Sequence, residues 1–203
     1  MKKIILLFIM LIGISMSAQD KLTYSDVVQV DGISKDDLFN RSLVYLTTNF
    51  NNIKKDRSTV FHKGFNVVNQ QVIMHDQSNG QIISKVQFNY NPEILTYSAQ
   101  VIGIVEFTMS VFVRDGRYRY EVTDFIHTPT EKAHFGKFYN NDSSSFVLLD
   151  TNEFPNKVNK LNKSTKDKIY RDIVLQCKNY SEELVEGLKL SMTKAMSIEN
   201  DDW

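Results

Sequence analysis

The stretch EFTMSVFVRDGRYRYEVTDF, residues 106–125, leaves this chain fewer conformational choices than any other. Asp115-Gly116 divides two runs rich in β-branched and aromatic residues, the pattern of a hairpin with a two-residue loop. A loop of that length pairs Arg114 with Arg117, Val113 with Tyr118, Val111 with Tyr120 and Met109 with Val122. The apolar pairs then all share one face. A slip of one residue would turn every side chain over, so this register is strongly specified. The opposite face pairs Phe112 with Arg119 and Ser110 with Glu121. It reads as solvated, with the Arg119 guanidinium lying over the Phe112 ring.

An earlier hairpin turns at SNGQ, residues 78–81. Beyond it Ile82, Val86, Phe88 and Tyr90 alternate with Ile83, Lys85, Gln87 and Asn89, which turns the even positions inward. The strand before the turn is open to two registers. A two-residue loop puts Ile73 on the core face, and a loop one residue longer puts Val72 and Met74 there.

Helices flank the strands. Val27, Val28 and Val30 favour a strand, and Asp31-Gly32 ends it. Ser34 has the chemistry of a helix N-cap, with Asp37 three residues on, while Ile33 and Leu38 fit a hydrophobic staple. Asp36 and Asp37 suit the positive end of the helix dipole. Phe39, Leu43, Leu46 and Phe50 continue at helical spacing. Near the C-terminus Ile169, Ile173, Cys177, Tyr180, Leu184, Leu188, Met192 and Ala195 hold one phase for about seven turns, which predicts one long helix over 165–198. Ser164 and Asp167 offer it a capping box, and Gly187 is its weak point. Between lies a stretch without sustained period, residues 128–164, yet Phe135, Phe138, Tyr139, Phe146, Val147, Leu148, Leu149 and Phe154 make it too apolar for a free linker. Part of it is expected to pack on the domain.

The N-terminus bounds location. Lys2 and Lys3 precede an apolar run from Ile4 to Ile14 and a small-residue exit at Ser15-Met16-Ser17-Ala18, the build of a secretory signal peptide over residues 1–19. The run is short for a membrane span. No cysteine follows it, so a soluble exported protein in the periplasm or cell envelope is expected, not a lipoprotein. Removing that segment takes away two lysines and leaves 22 cationic side chains against 24 carboxylates, without the basic excess of a general nucleic-acid binder. Cys177 is the sole cysteine, so no intramolecular disulfide forms. A disulfide-linked homodimer through Cys177 is conceivable, but its place on the apolar helix face favours a small buried hydrophobe.

YSDVVQVDGISKDDLFNR, followed by paired strands and VRDGRYRYEVTDF, resembles a family of exported Bacteroidetes proteins, domain-of-unknown-function family 4468, with a TBP-like fold. The matching positions are Asp31-Gly32, Ser34-Lys35-Asp36 and Arg114-Asp115-Gly116-Arg117-Tyr118, and the likeness covers roughly residues 24–125. Tyr45 departs from the tryptophan expected in the first helix. The resemblance implies an α+β fold, one curved antiparallel sheet of about five strands in the order β-α-β-β-β-β-α, with helices packed on one face. It carries over no catalytic residues. The chain then divides into the signal peptide, a TBP-like domain over 20–127, the aromatic loop 128–164, the helix 165–198 and an acidic tail 199–203.

No residue pattern announces chemistry. His62, His75, His127 and His134 lack metal-ligand spacing. Asp76 beside His75 reads as a polar turn, and Ser143-Ser144-Ser145 lacks the frame of a nucleophile elbow. No catalytic, cofactor or metal residue is therefore assigned. A non-catalytic binding module is expected, its partner a protein or envelope component and not nucleic acid, with Phe135, Phe138 and Tyr139 as candidate surface. The alternative is a carrier holding a small apolar ligand between sheet and C-terminal helix.

Overall fold

A computed structural model describes residues 21–48, 67–90, 103–129, 146–151 and 163–193. In chain order the elements are β1 (Tyr24–Gln29), α1 (Lys35–Thr48), β2 (Val67–Asp76), β3 (Gln81–Tyr90), β4 (Gly103–Arg114), β5 (Arg117–Pro129), β6 (Phe146–Val147) and α2 (Lys163–Thr193). The strands form one antiparallel sheet in the order β1-β5-β4-β3-β2, with β6 also on β5. The expected five strands are all present. The two-residue β6 comes from the aperiodic segment and extends the β1 edge, pairing with Ile126 and His127. The tertiary seal there is Leu148, wholly buried, whose amide donates to the Phe125 carbonyl.

The β4–β5 hairpin has the register its sequence dictates, from Arg114 opposite Arg117 to Met109 opposite Val122. Of its two loop residues, only Gly116 takes positive φ, at 70°. Asp115 is oriented toward another element: its carboxylate accepts from the Lys35 amide, the first of α1, at 2.8 Å. The Val30 amide donates to the Gly116 carbonyl, and the Gly116 amide donates to the Ile33 carbonyl. Within α1, Ser34 Oγ accepts from the Asp37 amide and donates to the Asp37 carboxylate. The two sequence motifs are thus halves of one joint. Orphan amides of the first turn of α1 are met from its own cap and from a hairpin 80 residues away. The β2–β3 turn joins the same end, where the Val113 amide donates to the Gly80 carbonyl and Lys35 Nζ to the Ser78 carbonyl.

The first hairpin follows neither expected loop length. Asp76 pairs with Gln81 across a four-residue turn, and a bulge between Val72 and Met74 breaks the alternation of β2. Val72 packs toward the core, while Ile73 and Met74 are exposed. The even positions of β3, including Ser84, are fully buried as expected. A second bulge was not legible. The β4–β5 register shifts between Glu106 and Thr108, with Asp124 at φ 56°. Tyr118, Tyr120 and Val122 face inward before it, and Phe125 and His127 after it, so the bulge changes which parity of β5 meets the core.

Both helices cover that inner face. Leu38, Phe39, Ser42, Tyr45 and Leu46 are the buried positions of α1, so Leu43 lies beside the stripe instead of on it. In α2 every expected position from Ile169 to Met192 is buried, while Ala195 lies outside the described residues, as does Phe50. Ser164 lies inside the first turn of α2, not ahead of it as a cap. Gly187 marks a close approach: a Cβ there would stand 2.5 Å from the Tyr45 hydroxyl. That hydroxyl donates to the Leu184 carbonyl at 2.7 Å, tying the two helices together. Tyr45, the departure from the family pattern, is thereby the bolt of the helix pair.

Candidate functional site

Because the described helices both lie on the inner face, the outer face of the sheet is the surface they leave uncovered. Strand registers place its side chains in rows. Nearest the turns, Gln29, Arg117 and Arg114 stand side by side on β1, β5 and β4. The next row reads Val27, Arg119, Phe112 and Gln81. The third reads Ser25, Glu121, Ser110, Ile83 and Met74. Farther along, Glu106 receives Lys85 Nζ at 3.0 Å and Gln87 Nε2 at 2.8 Å. The hydrogen bonds from Gln87 and then Lys85 hold the Glu106 carboxyl below its ordinary range.

One end of this face is basic and apolar together. Arg119 places its guanidinium 4.5 Å from the Phe112 ring centroid, as the hairpin register implies. Val27, beside it, is 51% exposed. With Asn79, Arg114 and Arg117 these residues line a groove of about 390 Å³. Among the described residues, none of the three arginines has an ion pair. The Asp115 carboxylate is turned to the Lys35 amide, and that of Asp26 to the amide of Val27.

Between the sheet and α2, where the alternative reading places a carrier's cavity, the described aromatic side chains pack on one another. Phe88 stacks on Tyr180 at 4.9 Å, Phe107 on Phe125 at 5.2 Å, and Tyr24 meets Phe125 edge-on. A groove of about 380 Å³ does run between β1 and α2, but at the rim, with Tyr24, Tyr120, Glu182, Glu186 and Lys189 in its wall. Cys177 is fully buried and burial pushes its thiol pKa up, so a disulfide between chains would require α2 to lift from the sheet.

The polar residues singled out in the sequence are scattered. His75 is exposed on β2, and Asp76 accepts from Ser78 Oγ, the Asn79 amide and Asn79 Nδ2, which makes it the polar turn residue expected. Asp31, Gly32, Ser34, Asp37, Asp115 and Gly116 all sit in or beside the helix joint. Phe135, Phe138, Tyr139, His62, His134 and Ser143–Ser145 lie outside the described residues. Sequence reasoning missed one part-buried polar cluster. The Tyr90 hydroxyl donates to Asp172 at 2.6 Å, Gln176 donates to the same carboxylate, and the Tyr90 ring meets His127 edge-on at 5.5 Å. Only the β5 bulge turns His127 inward, and no local pattern signals it. Among the described residues no three His, Cys, Asp or Glu side chains are grouped to hold a metal ion. No helix among them is long and apolar enough to cross a membrane.

A family model described as a domain of unknown function (DUF4468) with TBP-like fold matches residues 24–128. Two solved structures align with most of the chain. A DUF4468 family protein from Bacteroides ovatus is 12% identical with a TM-score of 0.55, over 87% of this chain and 89% of that one. A TBP-like protein from Parabacteroides distasonis is 13% identical with a TM-score of 0.49, over 83% of this chain and 93% of that one. No curated protein matches. At these identities the first likeness speaks to fold alone.

Proposed function

The chain belongs to the DUF4468 family of domains with a TBP-like fold, and from that premise we propose that it is a non-catalytic binding module, exported to the periplasm or cell envelope, that holds its partner on the open face of the sheet. The observation that carries this function is the uncovered Val27–Arg119–Phe112 row, where apolar and cationic groups stand together on a rigid surface. Interfaces favour this mixture, with arginine and aromatic anchors at their centres. Export rests on the charged and apolar build of residues 1–19. The carrier alternative has less support, since the sheet–helix space is occupied by Phe88, Phe107, Phe125 and Tyr180.

The test is affinity capture from the native envelope fraction with the wild-type chain and with Phe112→Ala combined with Val27→Asp, both checked for equal unfolding midpoints. A partner retained by the wild type and lost by the face variant is expected. A partner held equally by both would move the site elsewhere, with alanine replacement of Phe135, Phe138 and Tyr139 then testing the aromatic loop. Capture of nothing above background by the wild type would overturn the binding function.

A further inference from the structure

We infer that the basic end of the outer face recognises an extended acidic protein segment that presents carboxylates at every second position. This rests on the binding function proposed above and assigns its partner a chemistry. Arg117 and Arg119 project from the same side of β5, two residues apart, and Arg114 stands directly across from Arg117. Side chains two apart on a strand repeat at roughly 6.6–6.8 Å. An extended peptide presents alternate side chains at the same interval, so carboxylates at every second position match the two β5 guanidiniums in register.

The details of the groove favour a protein over a phosphate polymer. Phe112 lies beneath the Arg119 guanidinium at 4.5 Å, and a guanidinium can give a carboxylate two parallel hydrogen bonds. Val27 and Phe112 supply apolar contact beside the charges. A polyphosphate backbone would gain from continued positive charge along the face. Instead the next row carries Glu121, and Lys85 beyond it is neutralised by Glu106. Among the described residues the positive charge of this face is thus confined to three side chains, and the whole chain has equal numbers of cationic and anionic side chains. That suits a short acidic stretch and not a long nucleic acid.

The probe is a fluorescein-labelled peptide alternating aspartate with serine, titrated with the full chain and read by anisotropy. Controls are a lysine–serine peptide and oligothymidylate of matched charge. Saturable binding of the aspartate peptide, weakening as sodium chloride is raised, is expected. Arg117→Glu and Arg119→Glu should each weaken it by about tenfold or more, and Phe112→Ala by severalfold. All three are surface changes, and equal unfolding midpoints confirm that the fold is retained. Absence of saturable binding, indifference to both arginine reversals, or tighter binding of oligothymidylate would each overturn the inference. If the aspartate peptide fails while the envelope partner is still lost by the face variant, only the acidic assignment falls. If neither binds, the binding function falls with it.

Discussion

Gly187→Ala should destabilise the chain, although a helix interior ordinarily gains about 1 kcal/mol from that change. The added Cβ would lie 2.5 Å from the Tyr45 hydroxyl, 3.0 Å from Cε2 and 3.1 Å from Cζ. Tyr45 is only 4% exposed, and its hydroxyl is committed to the Leu184 carbonyl, so the ring has little room to yield. Overpacking of this kind costs about 1–3 kcal/mol. Displacing the buried hydroxyl from its acceptor adds about 1–3 kcal/mol. Offset against the propensity gain, the net loss centres on about 3 kcal/mol, or roughly 6–12 °C in Tm for a chain of this size. Urea unfolding followed by far-UV circular dichroism measures it. The same change on a Tyr45→Phe background isolates the cause, because the nearest clashing atom and its hydrogen bond are gone. There the alanine should cost about 2 kcal/mol less. A neutral or stabilising Gly187→Ala, or an equal cost on both backgrounds, would refute the close approach of α1 and α2.

Two further outcomes follow from the turns. Asp115→Ala removes the acceptor of the first α1 amide and should lower stability by about 1 kcal/mol in urea unfolding, with Asp115→Asn retaining most of it; equal loss in both would point to the turn itself and not to the cap. Asp76 has its carboxyl pKa lowered from the usual 3.8 to about 2, first by the Ser78 hydroxyl and then by the Asn79 amide and side chain. A pKa depressed by folding stabilises the fold above the unfolded value and loses that contribution as pH falls through the folded one. Asp76→Asn should therefore flatten the stability profile between roughly pH 4 and 2, and an unchanged slope in acid titrations of unfolding would contradict this.

The sequence made the second hairpin, the cap of α1 and the buried stripe of α2 legible because each is a local pattern with one consistent solution. Val113, Tyr118, Tyr120 and Val122 could share a face in only one register. Cys177 and Tyr180 fell into a single helical phase. What escaped notice required knowledge of another element. The bulges at Val72–Met74 and at Asp124 break a period of two without any glycine or proline to announce them. Ser42 reads as a surface residue of α1, yet it is buried with its hydroxyl on the Leu38 carbonyl and against the Met192 sulfur. Gly187 reads as a weakness in α2 until Tyr45 is placed against it. Of the candidate site, the Phe112–Arg119 stack followed from the hairpin register alone. Its convergence with Val27 depended on which strand β1 joins, a long-range pairing that no local pattern encodes.

The family motifs and the groove divide the hairpin between two tasks. Asp115 and Gly116 bind the start of α1 through their carboxylate and backbone, so changing them loosens the joint between helix and sheet. Arg114, Arg117 and Arg119 flank the same loop, yet their guanidiniums enter no ion pair among the described residues. Exposed side chains without such ties usually change stability by less than about 0.5 kcal/mol when replaced. Asp115 and Gly116 consequently determine a shape, while Arg114 and Arg117, although they belong to the same motif, take no part in that joint. A chain could keep Asp31-Gly32, Ser34, Asp37 and Asp115-Gly116, fold identically, and carry glutamates where the arginines stand. The Asp-Gly joints therefore account for the scaffold, and the binding function proposed above rests instead on the outer rows of the sheet.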